Sequence, residues 1–341
     1  VNARRPSLAD VARRAAVSTQ TVSRVANGRT NVDAATRERV QQAMAELGYR
    51  PNRAARALKA GRFHAIGVIT SYLTSFGMMR TLDEIVQAAS AAGYSITLLP
   101  ITATSGGVSG AIDRLSEQAV DGIIVTVEPH LLEGAEVTLP GDVPIVVVNT
   151  GAGTGLNLVD SDQEGGARLA TRHLLDLGHA AVWHLAGPGE SASAAHRTRG
   201  WAATLREAGL EPPPVLTGDW TAESGYRHGR GLAGRRDVTA VFAANDQLAL
   251  GLIQALHEAG RAVPDEVSVV GFDDTPESPY FWPPLTTVRQ DFTEIGRTAI
   301  ALLLQQLEAP DPAPGRERLI PTSLVVRQST AAPPRSVFHV T

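Results

Sequence analysis

The strongest constraint in this chain is a change of period near residue 62. Before it, apolar residues recur at helical spacing; from Phe63 onward, short apolar runs alternate with longer helical stretches. The first pattern specifies a small helical bundle, the second parallel strands with helices on both faces. Charge divides at the same place. Residues 1–62 hold 13 Lys and Arg against 4 acids, whereas the remainder holds 18 against 31, within a net charge of −4. A small basic module joined to a large acidic body suggests a polyanion-binding head on a domain of its own. At 341 residues and 43% apolar, the chain suffices for two domains, or three, with a sizeable core. It has no cysteine, which excludes disulfides and thiolate chemistry. No apolar run reaches the roughly 18 residues of a membrane span, and VNARRPSLADVARRAA contains no apolar export segment. A cytoplasmic protein without membrane partner, cofactor or metal is the expectation.

Three short helices are legible in the head. Ser7 precedes an apolar stripe of Leu8, Val11, Ala12 and Ala15, and Asp10 completes a Ser-x-x-Asp start signal. Ala16-Val17 breaks the pattern, after which Ser18 is placed to cap a second helix. That helix carries Val22, Val25 and Ala26 on one face, Thr19, Gln20, Ser23 and Arg24 on the other, and stops at Asn27-Gly28. The third starts after Asp33, buries Val40, Ala43, Met44 and Leu47, and ends at Gly48. Two short helices joined by a tight turn and braced by a third describe a helix-turn-helix, whose second helix lies in the major groove. Gln20 and Arg24 lie one turn apart, and such residues pair bidentately with adenine and guanine. Thr19 offers a hydroxyl and a methyl. Arg4, Arg5, Arg29, Arg37 and Arg39 suit phosphate contacts, which set register without reading sequence. Ser7, Ser18, Ser23 and Asn27 complete the candidate DNA-binding set in the head.

Pro51 ends the preceding helix, and Asn52 can cap a new one to about Leu58. A helix this short is marginal in water and is a candidate for folding only when paired or docked. Leu58 has little local core to enter. Wedging into a minor-groove base step is one use of such a leucine, and interdomain packing is the other.

SLADVARRAAVSTQTVSRVANG and TRERVQQAMAELGYRPNRAARAL, with ANDQLALG, VSVVGFDD and PPLTTVRQDF further on, resemble the LacI family of bacterial transcription regulators. The resemblance spans about residues 5–330, in the family's order, and is strongest to galactoside-responsive members. It implies a homodimeric repressor whose recognition helices read two half-sites of double-stranded operator DNA. It also implies paired hinge helices that insert leucines at the operator centre. Those roles fall on Thr19, Gln20 and Arg24, and on Ala55 and Leu58, with Asn52 opening the hinge. The implied fold is an all-α helix-turn-helix DNA-binding head joined by a hinge helix to a two-lobed α/β periplasmic-binding-protein-like sensor. Its expected bounds are 1–50 for the head, 51–62 for hinge and linker, 63–330 for the effector-binding and dimerisation domain, and 331–341 for a tail. The N-lobe would take about 63–160 and 291–320, and the C-lobe about 161–290 and 321–330.

The residues of the body support such a division independently. Strand-like runs are Ala65–Thr70, Ser95–Leu99, Gly122–Val127, Ile145–Val148, Ala181–Ala186, Ala240–Ala244 and Ser268–Phe272. Helical stretches include Leu82–Ala92, Ala167–Leu177, Trp201–Ala208 and Gln247–Ala259, each followed by glycine. Some 260 residues of βα alternation exceed one comfortable sheet, so two lobes are expected.

In open α/β sheets ligands bind at the carboxyl ends of strands. Asn149, Asn245-Asp246 and Asp273-Asp274 sit at such ends, Arg197 lies in the segment entering a helix, Trp220 in a Gly-Asp-Trp loop, and Phe292 opens a helix. Carboxylate, amide and guanidinium groups bracket hydroxyls, and an aromatic face stacks on the C–H surface of a sugar; a neutral polyol matches this set. Any single Asn or Asp here also suits a helix cap or turn, and Asp246 and Asp274 read as such. The resemblance implies effector contact for Arg197, Trp220, Asn245, Asp273 and Phe292. It adds Thr70, Ser71 and Leu73 as lining residues, while Asn149 departs from the family aspartate.

Enzymatic classes are disfavoured. Asp160-Ser161-Asp162 and Asp273-Asp274 alternate around the backbone rather than facing one bond, and nucleophile-elbow, P-loop and H-E-x-x-H motifs are absent. The expectation is a repressor of sugar-utilisation genes released by a galactoside- or glucoside-like effector, associated with the nucleoid through its operator. A purine effector, or a corepressed regulator, is the alternative. The tail QSTAAPPRSVFHVT has two prolines and no leucine heptads, which favours a dimer over a coiled-coil tetramer.

Overall fold

The computed structural model describes residues 6–27, 29–49, 62–71, 75–101, 106–128, 131, 143–149, 156–308, 315 and 317–334. The chain divides into two compact units, Val1–Phe63 and His64–Thr341.

The first unit is built from α1 (Leu8–Ala15), α2 (Thr19–Ala26) and α3 (Ala34–Leu47). Its helix starts are local chemistry. Ser7 and Asp10 form a reciprocal capping box, Ser18 accepts from the Thr21 amide, and Asp33 accepts from the Thr36 amide. Ala16 turns the chain between α1 and α2 in the left-handed region at φ 52°. Val11, Ala12, Ala15, Val22, Val25, Val40 and Ala43 form the core, with Met44 and Leu47 packed half-buried against it.

The second unit holds two six-stranded sheets. In the first lobe, β1 (Ala65–Thr70), β2 (Ser95–Pro100), β3 (Gly122–Thr126), β4 (Ile145–Val148), β5 (Asn157–Ser161) and β11 (Glu317–Ile320) lie in the order β11-β5-β4-β3-β1-β2. In the second, β6 (Trp183–Ala186), β7 (Leu216–Thr217), β8 (Ala240–Ala243), β9 (Ser268–Asp273), β10 (Thr286–Arg289) and β12 (Ser323–Val325) lie in the order β12-β10-β9-β8-β6-β7. Among the described residues every strand pairing is parallel except β10 with β12. Helices α4 (Phe76–Ala91), α5 (Gly107–Glu117) and α10 (Phe292–Glu308) cover the first sheet; α6 (Gln163–Asp176), α7 (Ala192–Glu207), α8 (Ala222–Ala233) and α9 (Asp246–Glu258) belong to the second lobe. Each sheet is buried on both faces, as parallel sheets require, by a separate apolar cluster on each side.

The chain passes between lobes three times: from β5 into α6, from β10 into α10, and from β11 into β12. Five strands, β5, β7, β10, β11 and β12, escaped the apolar-run criterion, two of them for identifiable reasons. β5 carries Asn157, Asp160 and Ser161, and β11 is an edge strand with three exposed residues. The helix expected from Trp201 begins at Ala192, because its first two turns are small and polar and line a cavity instead of a core. The strand expected from Ala181 begins at Trp183. Among the described residues no helix is long and apolar enough to cross a membrane.

Candidate functional site

Two polar surfaces, one in each unit, collect the residues singled out above. On the head, Thr19, Gln20, Arg24 and Asn27 are exposed along α2, and Ser23 is half-buried beneath the Asn27 amide, 3.3 Å away. Buried Val22 and Val25 fix the opposite face of the same helix, so the display of Gln20 and Arg24 follows from packing. The hydroxyls of Ser7 and Ser18 are engaged in capping, at 3.3 Å from the Asp10 amide and 3.1 Å from the Thr21 amide. Arg29 and Arg39 are exposed, whereas Arg37 donates to the Arg29 carbonyl at 2.8 Å and braces the turn before α3. Arg4, Arg5, Asn52, Ala55, Leu58 and Leu73 lie outside the described residues.

The second surface is a cavity lined from both lobes of the body. Asn149 follows β4, Asp273 ends β9, Gln290 follows β10 and Glu128 lies just beyond β3, so the strand-end rule accounts for four of its walls. Arg197 reaches it from α7, Trp220 from the loop after β7, and Phe292 from the start of α10. Asn245 contributes in two ways at once. Its Oδ1 accepts from the Leu248 amide at 2.8 Å and caps α9, while its Nδ2 donates to the Trp220 carbonyl at 3.0 Å. Phe292 meets Phe76 edge-on, ring centres 5.9 Å apart. Ser71 is not on the cavity wall; its hydroxyl is buried without a partner.

The centre of the second-lobe wall is a closed hydrogen-bonded ring. Arg197 Nε donates to Gln163 Oε1 at 2.8 Å, Gln163 Nε2 to Gln290 Oε1 at 3.1 Å, and Gln290 Nε2 to Asp273 Oδ1 at 2.7 Å. An Arg197–Asp273 ion pair at 3.6 Å closes it. All four residues are buried. The guanidinium also donates to the Ala244 carbonyl and lies 3.7 Å over the Phe272 ring and 5.4 Å from the Trp220 ring centre. Burial raises the Asp273 carboxyl to about 6, against the opposing pull of Arg197 and the Gln290 amide. Burial likewise raises Asp160, which accepts from Gln163 at 3.3 Å, to about 7.

Backbone geometry marks the same place. Asn149, Trp220 and Asp273 have φ of 61°, 69° and 111°, a region L-residues seldom occupy, and all three line the cavity. Trp220 is seated against Gly187, where a Cβ would lie 2.3 Å from the indole. Asn149 donates to Thr81 Oγ1 at 3.1 Å but its Oδ1 is buried and unpartnered, an acceptor position on the wall. Asp246 and Asp274 are structural: Asp246 accepts from Thr275, Ser278 and Thr287, and Asp274 pairs with Arg289 and Arg327, each at 2.6 Å. Sequence reasoning missed Gln163, Gln290, Glu128, Ser191 and Ser193, all on the wall. Glu128, just past a strand read from the sequence, was open to the strand-end rule; Gln163 and Gln290 follow strands that were not read, and Ser191 and Ser193 open a helix read only from Trp201. Fixed amides, two carboxylates, a guanidinium and an aromatic face equip the cavity to hold a compact ligand rich in hydroxyls. Among the described residues no group of His, Asp and Glu is arranged to hold a metal.

Comparisons with known proteins match both the head and the body of the chain. The family described as bacterial regulatory proteins, lacI family, matches residues 7–52, and a periplasmic binding protein-like domain matches residues 171–330. The lactose operon repressor of Escherichia coli (strain K12) is 38% identical over 331 residues, covering 96% of this chain and 91% of that protein. The HTH-type transcriptional repressor PurR of Vibrio vulnificus (strain CMCP6) is 33% identical, covering 89% of this chain and 92% of its own. A crystal structure of the lac repressor dimer bound to operator and the anti-inducer ONPF superposes with a TM-score of 0.86 at 37% identity, covering 96% of this chain and 100% of that one.

Proposed function

The chain belongs to the lacI family of bacterial regulatory proteins, and on that premise we propose that it is a dimeric repressor released from a palindromic operator by a neutral sugar. It is a DNA-binding transcriptional repressor and not an enzyme, as its relatives are. The sugar rests on one observation: Trp220, Arg197 and Asp273 share one cavity, and an indole face beside a fixed guanidinium–carboxylate pair suits a pyranose with adjacent hydroxyls.

In this reading Gln20 and Arg24 contact base edges, Thr19 a thymine methyl, and Arg29 and Arg39 phosphates, so that operator affinity falls steeply with salt. Asn52, Ala55 and Leu58 form the hinge that enters the operator centre. Asn149, Asn245 and Phe292 complete the effector wall around the ring. Sugar entering between the lobes favours an arrangement in which the paired hinges separate. Such coupling is reciprocal and typically about 1–3 kcal/mol, so operator weakens sugar binding by the factor that sugar weakens operator binding.

Calorimetry with galactosides, glucosides and purines, paired with operator gel shifts at constant salt, tests the assignment. A sugar that titrates and releases operator is expected. A purine titrating alone, or one that tightens operator binding, replaces this reading with that of a purine-responsive or corepressed regulator.

A further inference from the structure

Glu128 stands in the first lobe just beyond β3, 6% exposed, yet its Oε2 accepts from the backbone N–H of Ala192 at 3.1 Å, the first residue of α7 in the second lobe. The Ser191 side chain at the N-cap of that helix makes no capping bond. The other second-lobe helices are capped by their own flanking residues, α6 by Asp162, α8 by Thr221 and α9 by Asn245. The helix that carries Arg197 therefore takes its side-chain cap from across the cavity. A carboxylate suits this position because unpaired amides and the helix dipole make the N-terminus partly positive. Glu128 also lines the cavity, where among the described residues it and Asp273 are the acids and Arg197 the guanidinium.

We propose that Glu128 couples the two lobes across the effector cavity and makes that cavity selective for uncharged or amino-bearing sugars over sugar phosphates and uronates. The hydrogen bond to Ala192 holds the lobes in register, and with them α7 and its Arg197. Negative charge at Glu128 repels an anionic ligand that Arg197 alone would attract. This inference rests on the sugar-effector reading for its choice of ligand, but its mechanical half does not.

Two variants separate the halves. Glu128→Gln keeps an acceptor of the same reach without the charge, and Glu128→Ala removes both. Because the chain has no cysteine, Gln118→Cys and Glu211→Cys, exposed positions in the first and second lobes, accept spin labels in the full-length protein. The interlobe distance distribution should widen or shift in Glu128→Ala and return to the wild-type profile in Glu128→Gln. An unchanged profile in Glu128→Ala overturns the coupling. Calorimetry with methyl β-D-galactoside, D-galactosamine and D-galactose 6-phosphate reads the charge. Both variants should bind the phosphate at least tenfold more tightly than wild type does. Unchanged phosphate affinity in the two variants, while the neutral sugar binds, overturns the selectivity. Failure of every sugar with all three proteins instead refutes the sugar effector and the ligand choice built on it, and the spin-label result alone then decides the coupling.

Discussion

The reading face of the head and the effector cavity of the body treat polar side chains in opposite ways. Gln20 and Arg24 stand in solvent on α2, and no hydrogen bond or ion pair among the described residues uses their side chains. Arg197, Gln163, Gln290 and Asp273 are buried and bonded to one another in a ring. Hydrated groups on a convex helix can wait for a duplex, since water satisfies them and released counterions drive the encounter. Groups in a low-dielectric cavity need partners before the ligand arrives, because an unsatisfied buried polar atom is costly and an unpaired buried charge more so. The head relies on display and the cavity on preorganisation.

The most severe way to break this contrast is to open the ring. Arg197→Ala leaves Asp273 buried without its cation, and loss of one partner of a buried pair costs about 3–5 kcal/mol. The body should lose that much in a urea melt followed by tryptophan fluorescence. Operator release by sugar should vanish, while operator binding by the head is retained at low temperature. Release that persists would mean the ring packs the lobe and does not serve the ligand.

Arg24→Ala probes the other side. An exposed residue without partners should leave the melt of the head unchanged, yet its loss should weaken operator binding by about 1–3 kcal/mol and relax the preference at one base pair. A shift in melting with no change in preference would show that Arg24 supports α2 and does not read DNA.

The same contrast explains what was legible in the residues. Ser7 with Asp10, Ser18 and Asp33 announce helix starts because caps are decided within four residues, and the three helices follow where their apolar stripes lie. The cavity is assembled from strand-end residues up to 162 apart in sequence, Glu128 and Gln290, and only the rule that ligands sit at carboxyl ends pointed to Asn149, Asn245 and Asp273. Gln163 and Gln290 were invisible because an isolated glutamine carries no periodicity, charge or turn preference that would single it out. Glu128 was open to the strand-end rule, but its cross-lobe role was not, because its partner, the Ala192 amide, is a backbone group in the other lobe. The early turns of α7 were missed for the same reason: a helix face lining a polar cavity lacks the apolar stripe by which helices are recognised.

Burial of ring-linked acids predicts a pH effect confined to the body. The Asp160 carboxyl sits at about 7 when folded against 3.8 ordinarily, so the folded chain holds a proton that the unfolded chain releases. Stability from this group is therefore full below about 4 and is lost as pH rises through 7. Burial lowers His173, His179, His184 and His196, which act in the opposite sense below 6.5, so wild type must be compared with Asp160→Asn at each pH. Between pH 8 and 6, wild type should gain on the order of 1 kcal/mol over the variant in urea melts. Parallel curves would show that Asp160 does not titrate in this range.

The smallest expected effect bears on whether the head contains any preorganised polar group facing DNA. Ser18 is exposed and engaged as the cap of α2 through the Thr21 amide, and it also belongs to the candidate DNA-binding set. Ser18→Ala should cost the head about 0.5–1 kcal/mol in stability, as loss of a cap does. Ser18→Asp restores an acceptor at the same place and should recover that stability, while adding negative charge within the candidate DNA-binding set. If Ser18 only caps, both variants bind operator in proportion to the folded head. If it also meets a phosphate, Ser18→Asp is well folded but binds operator more weakly than Ser18→Ala does, and the head shares with the cavity one polar group set in place before its ligand arrives.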